Sequence, residues 1–489
     1  MLERTRVLAL LTAGGLAAAA LVPAGASADG AERAAPAHAR AGGGWTTVST
    51  GQVDTLSEIT LQRTADGVLH AVYVQDVGTA AAYQHATLAT SGAVTGHSDV
   101  VGTWASLIDD PQLLTTTTGG LRLVFSGLQD TDSANFYSHG YAYDTLSDAG
   151  GAAWALQPHA LTKFGAAYAG YGTGATALAD GTPVTAATLN SDIAYRVGDI
   201  PTTDQAVVSA ASDDSLYTAP GCCVYDTTLV SSGGAVWMGW YANGSDAGNN
   251  GVFVRQVYPT AGPVLKAPSS SDGASSLSTD QRLAMVARPG GGVVVAYKTG
   301  YPTTRAIGLW QVGTSKVVKV PDSRAARYVS LAAGATGRMW LAWTTDDDSA
   351  FALRTSPQGF GLGAVQAIGA PARSSDLWSI SVDASLNQGT VLVNDVSSQS
   401  VFSRIVNPGL TLVAKGAARV GRPSPITVKV TDAGDGVKGV KVKGGGDSCT
   451  TNEAGKCSLT VRAGRPGTVR LKATRNGYGF AVDTVKVRR

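Results

Sequence analysis

The chain has 489 residues, of which 15% are charged, 44% are hydrophobic and 61 are glycine. This composition excludes a disordered polyelectrolyte and a coiled coil. Residues 29–410 contain 20 basic and 30 acidic residues, a net charge of −10, whereas residues 411–489 contain 16 basic and 5 acidic residues, a net charge of +11. Because nucleic-acid phosphates bind to a positive face, we expect no nucleic-acid partner for the acidic body.

The N-terminus has the pattern of a secretory signal. Arg4 and Arg6 precede the apolar stretch from Val7 to Val22, and Ala26-Ser27-Ala28 fits a small-x-small cleavage site. We expect a signal peptide at 1–28, a flexible leader at 29–43, and a secreted, extracellular monomer. The alternative is a transmembrane anchor, but the apolar stretch is shorter than the ~20 residues that a spanning helix needs, so no membrane anchor is expected.

Residues 44–409 contain a repeat in which a short strand, a glycine turn and a second apolar strand recur. The spacing between successive turn glycines is 47 to 62 residues, and these are Gly67, Gly119, Gly181, Gly233, Gly290, Gly337 and Gly389. Short strands and glycine turns at this period are typical of β-propeller blades. The sequence predicts an all-β, seven-bladed propeller, with six or eight blades as alternatives. Trp45 to Ser49 is expected to complete the last blade and so close the ring.

Residues 410–489 predict a small immunoglobulin-like β-sandwich. The segment 426–430 alternates apolar and polar residues, and the other predicted strands are 437–442, 457–461, 468–472 and 482–487. With a net charge of +11, this tail is expected to dock on anionic cell-wall or matrix polymers.

Two motifs resemble known families. In the stretch from Ser147 to Trp154, Ser147, Gly151 and Trp154 match the aspartate box Ser-x-Asp-x-Gly-x-Thr-Trp. On this motif the body resembles the sialidase-like superfamily of secreted propellers, many of which act on glycans. The segment Thr450-Thr451-Asn452-Glu453-Ala454-Gly455-Lys456 is similar to a hairpin of bacterial immunoglobulin-like modules. These resemblances imply a glycan-directed propeller followed by an immunoglobulin-like domain.

The four cysteines should be oxidised outside the cell. Cys449 and Cys457 flank a turn sequence and would link a hairpin, which leaves the adjacent Cys222 and Cys223 to form a vicinal disulfide. Cross-domain pairing, or two reduced thiols, are the alternatives.

Carboxylates recur at the predicted entry to the innermost strands. Glu58, Asp110, Asp226 and Asp280 each lie three residues before a leucine of such a strand. If the repeats form a ring, these side chains meet at one mouth, where one protonated acid and one ionised base could cleave a glycosidic bond. Glu58 would be the acid, and Asp110 or Asp226 the base or nucleophile. The alternatives are capping of the local turn and a Ca²⁺ site, the one cofactor considered.

Further residues at this mouth suggest substrate binding. Tyr328 occupies the equivalent position in another repeat, and the adjacent Arg327 could orient an anionic group. Tyr217, Tyr225 and the Cys222-Cys223 pair could pack against a sugar ring. Histidines and cysteines at zinc-ligand spacing are lacking, so no resident metal is assigned.

The sequence therefore predicts a secreted carbohydrate-active propeller that hydrolyses an extracellular polysaccharide through paired carboxylates. The alternative is a non-catalytic propeller that binds a glycan or a protein. The sequence alone leaves open whether the protein is an enzyme.

Overall fold

The computed structural model describes residues 39–40, 44–53, 58–78, 80–107, 111–128, 141–157, 173–189, 192–199, 224–243, 250–270, 281–300 and 303–489. In these residues the regular structure is β-strand, with no α-helix. No helix that could cross a membrane is present in this part of the chain. All of these residues belong to one compact unit, His38–Arg489.

Seven small sheets, numbered in chain order, form from the residues described between 39 and 406. Sheet 1 comprises Thr60–Arg63, Leu69–Val77, Ala80–Leu88 and Val94–Trp104; sheet 2 comprises Ser106–Leu107, Gln112–Thr115, Leu121–Leu128, Tyr141–Ser147 and Trp154–Leu156; sheet 3 comprises Thr173–Ala177, Pro183–Leu189 and Asp192–Val197. Sheet 4 comprises Val224–Ser232, Ala235–Asn243, Asn250–Tyr258 and Leu265–Lys266; sheet 5 comprises Ala284–Arg288, Gly292–Thr299, Ala306–Gln311 and Val317–Lys319. Sheet 6 comprises Ala39–Arg40, Ala326–Ala333, Met339–Thr345, Ala350–Arg354 and Gln366–Ala367; sheet 7 comprises Thr46–Thr47, Leu377–Asp383, Gly389–Asp395 and Ser400–Val406.

The seven sheets form a closed ring through one strand of each, which we call the inner strand. These strands contact one another in chain order, and Leu377–Asp383 of sheet 7 contacts Thr60–Arg63 of sheet 1. Across the last junction, Ser381 Oγ donates a hydrogen bond to Ile59 O over 2.6 Å. A ring of small antiparallel sheets is typical of β-propellers.

The strand near the N-terminus completes the last sheet of the ring. Thr46 pairs with Ser403 and Thr47 with Phe402, both in the strand Ser400–Val406, so Thr46–Thr47 is the outermost strand of sheet 7. This confirms that Trp45 to Ser49 supplies a strand to the last repeat. The first and last parts of the ring share one sheet, so a free edge is removed where they meet.

The repeat glycines serve two different purposes. Six of them lie in turns between the first two strands of a unit, with positive φ between 60° and 88° that favours glycine: Gly67, Gly119, Gly181, Gly233, Gly290 and Gly337. Gly389 instead begins a strand, and a Cβ there would lie 2.9 Å from the Trp340 ring of sheet 6. Glycine is therefore needed at the six turn positions for its backbone conformation, and at position 389 because the space for a side chain is filled.

Hydrophobic side chains fill the space between neighbouring sheets. Clusters of buried residues lie between sheets 1 and 2, between each consecutive pair from sheet 3 to sheet 7, and between sheets 7 and 1. Met339–Thr345 is buried at every position because sheet 6 has a neighbour on each face. Continuous apolar runs, rather than alternating ones, therefore mark the second strands.

The tail folds as two facing sheets. One has four strands, Thr411–Lys415, Ser424–Asp432, Asp435–Gly436 and Lys456–Val461; the other has five, Ala418–Arg419, Lys441–Gly444, Asp447–Thr450, Gly467–Thr474 and Ala481–Arg488. Burial alternates strictly along most of Ser424–Asp432, and the buried positions build one hydrophobic core between the sheets. The predicted strand at 437–442 is shorter, because Gly439 adopts a positive φ of 75° and the strand begins at Lys441.

A buried ion pair joins the tail to sheet 6. Arg354 donates hydrogen bonds to Asp432 of the tail and, over 2.8 Å, to Asn387 O of sheet 7's first turn. The side chains of Arg354 and Asp432 are only 4% and 3% exposed. Nearby, Arg338 pairs with Asp435. These contacts fix one end of the tail against the ring.

Candidate functional site

The structure describes only part of the predicted carboxylate ring. Glu58 lies two residues before the inner strand of sheet 1. Asp110 and Asp280 fall outside the described residues. Asp226 lies in the strand Val224–Ser232, and only the backbone of Asp226 is described.

Glu58 forms an ion pair across the centre of the ring. Arg282, at the start of sheet 5, donates from Nε to Glu58 Oε2 over 3.0 Å. The same guanidinium donates to Gln112 Oε1 of sheet 2. The Glu58 side chain is 8% exposed and that of Arg282 is 9% exposed. Since sheets 1 and 5 are not neighbours, this pair bridges the central opening.

The ion pair bears on the acid role that the sequence predicts for Glu58. Both the backbone N and the side-chain Nε of Arg282 donate to Glu58 Oε2, the one over 3.4 Å and the other over 3.0 Å. Glu58 nevertheless lines an axial cavity of about 400 Å³, whose wall is built by the inner strands around the ring. Glu58 is thus a carboxylate at the cavity wall whose Oε2 is tied to Arg282, and its acid role stays a prediction.

Gln281 extends the same crossing contact. Its Nε2 donates to Val329 O of sheet 6 and to Ile380 O of sheet 7, each over 2.9 Å. Gln281 and Arg282 together contact the inner strands of sheets 2, 6 and 7, and Glu58 just before that of sheet 1. The sequence pointed to the preceding Asp280 instead, because an aligned carboxylate is recognisable as a motif and a bridging amide is not.

Three inner strands carry a register irregularity near their first residues. The pairing shifts between Tyr225 and Thr228 in sheet 4, between Ala326 and Val329 in sheet 6, and between Leu377 and Ser379 in sheet 7. A β-bulge redirects side chains and is over-represented beside active sites. The shifted segments contain the predicted site residues Asp226, Arg327 and Tyr328.

Arg327 and Trp378, on neighbouring bulges, stack against each other. The Arg327 guanidinium carbon lies 4.7 Å from the Trp378 ring centre and 5.0 Å from that of Tyr328. Arg327 Nη1 also pairs with Asp376 over 3.3 Å, and these two side chains remain 29% and 40% exposed. Tyr328 itself is buried. The predicted pair Arg327–Tyr328 therefore divides into an accessible cation and a packing residue.

Asp348 lies beside this arginine, on the turn that follows the second strand of sheet 6. Its Oδ1 accepts a hydrogen bond from Leu377 N over 3.1 Å. Burial raises the pKa of Asp348, Asp376 raises it further, and Arg327 opposes the rise. We call Arg327, Asp348, Asp376 and Trp378 the rim cluster. Among these four, Arg327 is the residue that the sequence assigned to substrate binding.

An open cleft adjoins the rim cluster. It has a volume of about 480 Å³ and lies between the turn at 347–349 and the segment 370–375. Asp347, Asp348, Arg373 and Ser375 contribute polar groups to its wall. A hydrogen bond from the Thr345 hydroxyl lowers the pKa of Asp347, so its carboxylate is ionised. The cleft thus presents two carboxylates and a guanidinium, and Asp348 is the residue that it shares with the rim cluster.

The degenerate aspartate box is a turn that packs two sheets together. Asp148, one position before the expected aspartate, accepts a hydrogen bond from Ala152 N over 2.8 Å. Trp154 Nε1 donates to Gly151 O over 2.8 Å, and its ring lies 5.5 Å from that of His85 in sheet 1. These contacts are those of a folding motif.

The cysteine predictions have different outcomes. Cys449 and Cys457 form a disulfide, as predicted. Tyr217, Cys222 and Cys223 lie outside the described residues, and the Tyr225 side chain is not described. In the part of the chain that the structure covers, no group of three or more His, Cys, Asp or Glu side chains is placed to hold a metal ion.

A scan against protein-family models and a search of curated proteins find no match to the chain. Among solved structures, AofleA from Arthrobotrys oligospora is similar, with a TM-score of 0.38 and 10% identity over 88% of this chain and 98% of that chain. A mutant Trypanosoma rangeli sialidase with trans-sialidase activity has a TM-score of 0.36 and 10% identity, covering 92% of this chain and 94% of its own. A Bombyx mori GH32 β-fructofuranosidase in complex with sucrose has a TM-score of 0.33 and 10% identity, with coverages of 93% and 94%. Similarities of this size do not assign the chain to a family.

Proposed function

We propose that this protein is a secreted glycan-binding propeller without catalytic activity, whose binding site is the rim cluster and its cleft. In this proposal residues 44–409 form seven blades, one for each sheet of the ring, and residues 410–489 form an immunoglobulin-like sandwich. The closed contact order of the seven inner strands supports the blade number. The signal-like N-terminus supports export.

The observation that carries the proposal is the contrast between the two candidate sites. At the axis, Glu58 and Arg282 are both about nine-tenths buried and satisfy each other. At the rim, Arg327 and Asp376 keep part of their surface exposed beside a cleft. Breaking a buried ion pair costs about 3–5 kcal/mol. A ligand can reach the exposed pair at the rim without that cost.

The chemistry of the rim cluster suits sugar hydroxyls. A carboxylate accepts two hydrogen bonds from neighbouring hydroxyls, and a guanidinium donates several in a fixed plane. The cleft volume of about 480 Å³ falls in the range of small-ligand sites. The stacking of Arg327 on Trp378 holds the guanidinium in place before a ligand arrives, which lowers the entropy cost of binding.

Binding to an array of neutral plant, fungal and bacterial polysaccharides tests the proposal. We expect the wild-type protein to bind at least one of them, and Asp376→Ala to weaken that binding about tenfold or more, because hydrogen bonds to a charged group are lost. Asp346→Ala is the matched control, since Asp346 is an exposed carboxylate on the turn that carries Asp348 but is not part of the rim cluster.

Two results would count against this site. Equal affinity of the Asp376→Ala and Asp346→Ala proteins would remove the rim cluster from the proposal. The absence of binding by the wild-type protein to every polysaccharide would remove the glycan class itself. Unchanged thermal unfolding midpoints of both variants are needed, so that lost binding is not lost folding.

Glycoside hydrolysis is the second candidate, and Glu58 at the wall of the axial cavity favours it. Asp110, Asp226 or Asp280 would supply the second carboxylate that hydrolysis needs. Release of reducing ends from the same polysaccharides is the measurement. Hydrolysis by the wild-type protein that Glu58→Gln abolishes would replace our proposal with this one.

A further inference from the structure

One face of the five-stranded tail sheet carries charge of a single sign. Its outward positions hold seven exposed basic residues: Arg419, Lys441, Lys443, Arg470, Lys472, Lys486 and Arg488. The other outward positions of these strands hold threonine, serine and Val482. We call this surface the basic face.

Strand pairing places several of these cations next to each other. Lys443 lies directly opposite Lys472, and Arg419 lies directly opposite Arg488. Directly opposed residues in a sheet have Cβ atoms about 4.5–5.5 Å apart, and like charges at that distance are destabilising. The basic face therefore opposes the stability of the tail instead of adding to it.

The five carboxylates of the tail are all engaged away from the basic face. Asp432 and Asp435 contact arginines beside sheet 6, and Glu453 pairs with Lys438. Asp447 accepts hydrogen bonds from Ser448 N and Thr460 N, and Asp483 accepts one from Ala414 N. None of these interactions neutralises a cation of the basic face.

We infer that the basic face binds a linear phosphodiester polymer of the cell wall, of the poly(glycerol phosphate) type. The cations form rows: two on one strand are separated by about 6.6–6.8 Å and neighbouring strands by about 4.8 Å. Extended phosphodiester chains carry their charges at comparable intervals. Such a chain could follow a strand and neutralise the opposed pairs, since lysine and arginine are both phosphate-binding side chains.

The shape of the basic face favours a polymer without bases. Nucleic-acid readers insert a helix or ribbon into a groove, or stack bases on exposed aromatic rings. The basic face is the open surface of a five-stranded sheet, and the ring packed against one of its cations, Phe480, is half-buried and lies 4.6 Å from the Lys472 ammonium. The contacts available are thus electrostatic. This inference does not rest on the proposed glycan site, because it concerns the tail alone.

The other face of the tail provides a control variant that loses the same number of positive charges. Lys415, Lys429 and Lys456 are exposed on the four-stranded sheet, and Lys429 lies opposite Lys456. The test variant replaces Lys443, Arg470 and Lys472 with Gln, and the control variant replaces Lys415, Lys429 and Lys456 with Gln. Both variants lose three positive charges, so they differ only in the face that is altered.

Binding of the full-length protein to immobilised poly(glycerol phosphate), measured from about 50 to 500 mM salt, is the experiment. We expect the test variant to lose about tenfold or more in affinity at low salt, and its salt slope to fall by about two, since each lost phosphate contact removes about 0.7 from the slope of a flexible chain. The control variant should lose less than about threefold.

Three outcomes would overturn the inference. Equal losses in the two variants would assign binding to net charge and not to the basic face. Unchanged affinity in both variants would show that these cations of the tail do not bind the polymer. Tighter wild-type binding to polygalacturonate or to single-stranded DNA than to poly(glycerol phosphate) would replace the phosphodiester wall polymer with a uronate polymer or a nucleic acid.

Discussion

The ring of sheets and the tail use their charged residues in opposite ways. In the ring, described charges such as Glu58, Arg282 and Arg63 are buried in ion pairs, the last with Asp383 over 2.8 Å. In the tail, seven cations stand exposed on one face with like-charged neighbours. The net charges of −10 and +11 give no hint of this difference.

The buried charges of the ring hold the fold together, whereas the exposed charges of the tail are available to a partner. Breaking a buried pair costs several kcal/mol because one charge is left without a partner in a dry environment. An exposed charge contributes less than about 1 kcal/mol and is free to bind something else. The tail's cations and the half-exposed rim cluster are therefore better candidates for recognition than the axial pair.

The largest effect should follow from removing a buried charge at the junction of ring and tail. Arg354→Met removes the nearer of the two arginines beside the buried Asp432 and leaves Arg338 at 3.8 Å, and we expect the free energy of unfolding to fall by about 3–5 kcal/mol. Urea unfolding measures this change. The double variant Arg354→Met/Asp432→Leu should recover most of the loss, since replacing both partners with apolar groups is often neutral. A single variant as stable as the wild type would refute the structural role of this pair.

A smaller loss of stability should follow when acid protonates the buried histidines of sheet 1. His85 is buried, its Nε2 lies 2.9 Å from His70 Nδ1, and burial lowers the pKa of His85 to about 4. Burial also lowers the pKa of His70. His85 takes up a proton near pH 6.5 in the unfolded chain, but only near pH 4 in the folded chain. The free energy of unfolding is therefore at its full value above about pH 6.5, and it falls by about 3 kcal/mol as the pH approaches 4.

Urea unfolding at about pH 7 and about pH 4.5 tests this expectation. His85→Gln removes the titrating group, so its stability should depend less on pH across this interval than that of the wild type. Identical pH dependence in the two proteins would show that the histidine pair does not resist protonation.

The smallest effect should have the opposite sign. Lys443→Glu places a carboxylate opposite Lys472 in the tail, and we expect stability to rise by about 0.5 kcal/mol, because a repulsive cross-strand pair becomes attractive. The thermal unfolding midpoint measures it, with Lys443→Gln expected to lie between the two. A loss of stability in Lys443→Glu would mean that the basic face is neutralised by groups within the protein, and the contrast with the ring would then disappear.

Much of the strand pattern could be predicted because it is local. Second strands such as Met339–Thr345 follow a glycine turn and read as continuous apolar runs, and the tail strands alternate. The disulfide between Cys449 and Cys457 follows from a short turn between them. The phase of the repeat also placed Glu58 and Arg327 at the start of an inner strand.

The partners of those residues could not be predicted. Arg282 lies 224 residues from Glu58 in the chain, and Trp378 lies on a different sheet from Arg327. The first pair meets only when the ring closes, and the second lies where bulges in two neighbouring sheets redirect the side chains. The sequence pattern has no signal for either event, since both depend on the position of other sheets.

The sequence by itself determined where strands and glycine turns occur, and which tail residues face outward, because backbone sterics and alternation act over a few residues. Only the tertiary structure decided which charges became buried pairs and which stayed exposed. That decision depends on distances through space between distant parts of the chain, and on the water that packing removes around them.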